Sequence, residues 1–142
     1  MRIMGLDLGK KTIGVAVSDE TGLTAQPVTT IKRVSLRKDL DQLSRLIGEY
    51  EVTGVVVGLP VNMNGSMGPA AESVFKFIEN IQERTGITAE TWDERLSTAA
   101  VTRVLLDGDI SRSRRKEVVD KMAASYILQG YLDRALCGNS AV

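Results

Sequence analysis

From Thr53 to Leu59 the chain reads Thr-Gly-Val-Val-Val-Gly-Leu, an apolar run with no alternation. A strand with one wet face alternates apolar and polar residues, whereas a continuous apolar run is covered on both faces. Strands of that kind mostly run parallel to their neighbours, with helices as the cover, so this segment points to an α/β sheet. Pro60 ends the run. The following Asn62-Met63-Asn64-Gly65-Ser66-Met67-Gly68 is dense in turn residues and predicts a mobile surface loop.

Upstream, Met1 to Asp19 holds two apolar runs of strand length separated by the polar corner Lys10-Lys11-Thr12. This predicts a β-hairpin, with Gly9 supplying backbone freedom where the chain reverses. A third extended run, Leu23 to Ile31, contains Pro27, which cannot donate to a ladder and therefore predicts an edge strand. The period then changes. Leu36, Leu40, Leu43, Ile47 and Tyr50 recur at helical spacing behind a capping Ser35, giving a helix over about Ser35 to Tyr50 with its charges on the outer face. A second helix starts at Pro69 and ends at Gly86, and Ile87 to Asp93 predicts the fifth strand. A further helix is expected through Val101, Val104 and Leu105. After a basic stretch, a long last helix is expected from Glu117 to about Leu136. The fold class is therefore α/β: a five-stranded mixed sheet, antiparallel through β1–β3 and parallel at β4–β5, flanked by helices. At 142 residues, 43% hydrophobic, it should form one domain over 1–142.

The chain contains no histidine. That excludes histidine general bases, Ser-His-Asp and Cys-His nucleophile systems, and zinc sites built from His and Cys. The remaining chemistry rests on carboxylates, hydroxyls and cations, and oxygen-only ligands select hard ions such as Mg²⁺ or Mn²⁺. Asp7 is the unusual residue of the first strand. A carboxylate among apolar neighbours needs a positive or hydrogen-bonding partner; a metal is one candidate and local Asp-Gly turn chemistry the other. Asp120 shares a helical face with Ala123, Ala124, Ile127 and Tyr131, so it points inward unless it curls outward as a helix-end charge worth about 0.3–1 kcal/mol. The 18 basic and 18 acidic residues cancel, but Arg112, Arg114, Arg115 and Lys116 sit together with no acid among them. Such a run suits a phosphate backbone, or only a solvated approach to a helix. No stretch approaches the roughly 20 apolar residues that cross a bilayer, no signal-peptide pattern opens the chain, and Cys137 is the single cysteine. These features predict a cytoplasmic protein with no membrane partner.

Four motifs, taken in order, resemble the YqgF/RuvX family of RNase H-like proteins. They are Gly5-Leu6-Asp7-Leu8-Gly9 with Ile13 to Asp19, Val57-Gly58-Leu59-Pro60 with Asn62 to Gly65, Asp93-Glu94-Arg95-Leu96-Ser97, and Val119 to Ala124. The resemblance implies a central first strand and an acid triad, Asp7, Glu94 and Asp120, that binds Mg²⁺ or Mn²⁺ and hydrolyses phosphodiesters. Asp93 competes with Glu94 for the second place. The implied activity is a nuclease processing the 5′ end of pre-16S ribosomal RNA, with ribosomal precursor particles as partners. A Holliday junction resolvase acting on branched DNA is the alternative. Lys10, Lys11 and Arg95 beside the acids, and Arg112 to Lys116, are the candidate nucleic-acid contacts. A nucleic-acid-binding assembly factor without catalysis, and an actin-like ATPase or sugar kinase, are the competing readings; the second needs two such domains, against the one expected here. Either a monomer or a homodimer fits. Trp92 is expected to pack on the sheet rather than to stack a base.

Overall fold

The computed structural model describes residues 2–61, 64–93 and 122–135. The apolar run forms β4 (Val52–Leu59), buried without interruption from Val55 onward. It lies between β1 (Arg2–Leu8) and β5 (Thr88–Asp93) and runs parallel to both. On its other side β1 pairs antiparallel with β2 (Thr12–Ser18), which pairs antiparallel with β3 (Ala25–Lys32). The order is β3-β2-β1-β4-β5, so the first strand is the middle one of five. This is the mixed sheet the sequence predicts. Pro27 sits on the edge strand as expected, beside a register shift that leaves Val28 between the partners of Val15 and Ala16.

Two crossovers place helices on one face. Helix α1 (Leu36–Glu49) connects β3 to β4, and α2 (Pro69–Thr85) connects β4 to β5. Leu40, Leu43 and Ile47 of α1 and Val74, Phe77 and Ile81 of α2 close over Met4, Leu6, Val55 and Val57. Full burial of side chains of this size contributes roughly 1.5–3 kcal/mol each. The opposite face is covered by the helix over 122–135, here α3, whose Ala123, Ala124, Ile127 and Leu128 are all buried. Val56 packs there while Val55 and Val57 pack under α1 and α2, which is why β4 carries no polar residue between Val55 and Leu59. The described part of the last helix thus buries the stripe its spacing predicts.

The local signals act as expected at most ends. Ser35 accepts a hydrogen bond from Lys38 N at 3.3 Å and caps α1, and Gly86 ends α2 with φ of 71°. Three details differ. Gly9 does not take a left-handed conformation; a Cβ there would stand 2.9 Å from the Thr12 carbonyl oxygen, so close approach excludes a side chain. In the described part of the segment after Pro60, Val61 bridges Met67, and Asn64 Oδ1 accepts from Ser66 N at 3.0 Å around Gly65. Finally, Asp39 on α1 is 1% exposed rather than on the outer face, because it is held by groups from the β3–α1 junction.

Candidate active site at the strand ends

Asp7 is the penultimate residue of β1, at the C-terminal end of the central strand, and is 8% exposed. Alternation puts Met4 and Leu6 under α1 and α2, and Ile3, Gly5 and Asp7 on the α3 face. The approach of α3 to that face is close. A Cβ on Gly5 would lie 2.6 Å from Leu128 Cβ and 3.0 Å from the Ala124 oxygen, so glycine lets the helix backbone settle directly on β1 one step before Asp7.

The strands beside Asp7 offer no side chain. Its partner on β2 is Gly14, and on β4 the residue after Val57, the partner of Leu6, is Gly58. Gly58 in turn pairs with Trp92 on β5, so the row across the α3 face reads Gly14, Asp7, Gly58, Trp92. The positions directly beside the carboxylate across the sheet are therefore glycines. An isolated glycine inside each of two strong strands is the sequence signal of a close approach.

At the far end of that row Trp92 packs with Val56, Ala123 and Ile127 and meets Tyr131 edge-on at 6.0 Å, as expected of a packing residue. Burial and the neighbouring Glu90 carboxylate push the Tyr131 hydroxyl up from its ordinary pKa, so it stays protonated. β5 continues through Asp93, which pairs with Leu59 and so falls on the α1–α2 face, opposite Asp7. Glu94, the other candidate, lies outside the described residues, as do Arg95, Arg112, Arg114, Arg115, Lys116 and Asp120. Among the described residues no three potential metal ligands come together.

The corner after Asp7 is fixed from outside. Gly9 N donates to Thr12 O at 2.9 Å, closing the reversal. Arg33 then reaches it twice: its backbone N–H donates to Lys11 O at 2.8 Å and its Nη1 to Gly9 O at 2.8 Å. Its guanidinium lies 5.9 Å from the centre of the Phe77 ring and 3.4 Å from Asp39 Oδ2, while Asp39 Oδ1 accepts from Val34 N at 3.0 Å. Lys10 and Lys11 are held at this corner with exposed side chains.

The sequence profile of RuvX, described as Holliday junction resolvase, matches residues 1–134. The chain belongs to the RuvX family. Among its RuvX relatives, a protein of Myxococcus xanthus is 60% identical over 133 residues, covering 94% of this chain and 88% of its own. One from Clostridioides difficile is 60% identical over 132 residues, covering 93% and 94%. Both carry the name "Putative pre-16S rRNA nuclease". The fold is shared with Thermus thermophilus RuvC solved with a Holliday junction substrate, at a TM-score of 0.61 and 12% identity over 95% of this chain and 96% of that one. RuvX membership and the RNase H-like sheet agree with what the motifs imply, and the family is one of phosphodiester-cleaving enzymes.

Proposed function

We propose that this protein is a divalent-metal-dependent nuclease that processes the 5′ end of pre-16S ribosomal RNA, with Asp7, Glu94 and Asp120 as the metal-binding acids. The observation that carries the reading is Asp7 itself: a buried carboxylate at the end of the central strand, flanked by glycine on both sides, on the face that α3 covers. A hard cation fits that setting, because the donor set is oxygen. Glu94 follows directly on the last residue of β5, and Asp93 stands on the opposite face from Asp7, which favours Glu94 as the second acid. Asp120 precedes the described start of α3 by two residues, and α3 packs over Gly5. When bound, Mg²⁺ or Mn²⁺ polarises the scissile phosphate and lowers the cost of charge on the attacking and leaving oxygens. The carboxylates hold and orient the ion. Lys10 and Lys11 at the fixed corner, with Arg95 and the Arg112 to Lys116 run, meet the substrate backbone.

Ribosomal RNA is preferred as substrate because the relatives are named for it. Resolution of four-way DNA junctions is the second reading, favoured by the family description, and it requires a dimer with two matched sites. Among the described residues no helix is long and apolar enough to cross a membrane, and the reading places the protein in the cytoplasm with ribosomal precursors. The test is cleavage of a labelled precursor 5′ segment and a labelled junction, by wild type and Asp7→Asn, with either ion. The RNA should be cut, and Asp7→Asn should slow the reaction by roughly 10³-fold, the loss of several kcal/mol of charge stabilisation. Full activity in that variant would remove Asp7 from the site. Cleavage of the junction alone would reassign the substrate, and tight binding with no cleavage would favour an assembly factor.

A further inference from the structure

Two segments at the Asp7 end of the sheet carry six cations and no acid: the corner 8–12, with Lys10 and Lys11, and the β3–α1 junction 32–38, with Lys32, Arg33, Arg37 and Lys38. They form one surface. Lys32 pairs with Thr12 in the ladder, and the two hydrogen bonds from Arg33 to Lys11 O and Gly9 O join the segments through their backbones. Arg33 is turned inward against Asp39. The other five side chains are exposed, and among the described residues none of them forms an ion pair. Two acids border these segments: Asp7, which belongs to the proposed metal site, and Asp39, which is buried and already engaged by Arg33 and Val34 N.

The placement of Arg37 and Lys38 is informative because it works against the helix. Both stand in the first turn of α1, where the positive end of the helix dipole disfavours cations, and the last turn of α1 has no basic residue to balance it. Charges that oppose the dipole at an exposed site cost stability, and a polyanion laid over them offsets that cost. Val34 and Leu36, 66% and 44% exposed, interleave with the cations and present apolar surface to sugars and base edges, which a free phosphate would not use.

From this we infer that Lys32, Arg37 and Lys38 extend the substrate site: a nucleic-acid strand leaving the Asp7 centre runs over Lys10 and Lys11 and along the β3–α1 junction, its phosphates on these three cations. The inference rests on the nuclease reading for the position of the reacting phosphate, and its test does not depend on cleavage. Binding of a fluorescein-labelled single-stranded RNA is measured in EDTA by anisotropy, at salt concentrations from about 50 to 200 mM. The variant Lys32→Gln/Arg37→Gln/Lys38→Gln should bind about tenfold more weakly, with a salt slope shallower by about 2, since each phosphate contact contributes about 0.7 on a single strand. Arg134→Gln, on the C-terminal part of α3 beyond Gln129, which bonds the start of β3, should leave the slope unchanged. Arg37→Glu provides the readout that a structural role would not give: its thermal midpoint should rise while its affinity falls. Unchanged affinity and slope in the triple variant, or no RNA binding by the wild type, would overturn the inference, the first outcome leaving the patch to an acidic protein partner. Failure of the nuclease reading looks different: the wild type cleaves nothing with Mg²⁺ or Mn²⁺, yet the triple variant still loses slope.

Discussion

Glu51 shows how much a single backbone angle carries. It follows the α1 cap Tyr50 with φ of 54°, a left-handed conformation that disfavours a Cβ, and it is the only such non-glycine among the described residues. Glu51→Gly should stabilise the protein by about 1 kcal/mol, raising the thermal midpoint by about 3 °C, as read by calorimetry. Nothing in the sequence announces this strain, because Tyr50-Glu51 carries no turn signature. Asp7 is the opposite case. Its oddity inside an apolar strand is visible in one dimension, and the structure adds that its neighbours across the sheet are Gly14 and Gly58. The sequence suggests conformational freedom for Gly9, yet its constraint is the oxygen of Thr12, a contact that exists only once the hairpin closes.

At the scale of elements, strand β1 and helix α3 meet through Gly5. A methyl there collides with Leu128 Cβ and crowds the Ala124 carbonyl, both attached to backbone that cannot swing aside. Gly5→Ala should therefore cost about 1–3 kcal/mol in denaturant unfolding and push α3 away from the face that holds Asp7. The elements themselves were legible. Ser35, Pro69 and Gly86 mark helix ends through hydrogen bonds and dihedral limits that act within a few residues. The bridge between Val61 and Met67 was not legible, since a single bridge leaves no periodic pattern. The Arg33 clamp was hidden for a different reason: Gly9, Lys11, Asp39 and Phe77 are scattered along the chain and converge only when β3 lies beside β2 and α1 folds back.

Across the whole molecule, one row of the sheet connects Asp7 to Trp92, the sole tryptophan. Because Trp92 stands two residues before Glu94, an ion held by Asp7 and Glu94 should alter its environment. Titration with Mg²⁺ should produce a saturable change in Trp92 emission in the wild type and none in Asp7→Asn; an identical change in both would separate the ion from Asp7. The molecule also sorts its charge, with a zero total divided so that one end of the sheet carries the corner and junction cations. By itself the sequence determined the described strands and helices, the edge position of β3, the mixed sheet and the exclusion of histidine chemistry, because periodicity, caps and residue chemistry are local properties. Tertiary structure alone decided that Asp7 lies between two glycines, that Asp93 faces away from it, and that Arg33 binds two distant segments into one basic surface. Strand register and packing set those relations, and both depend on contacts between residues far apart in the chain.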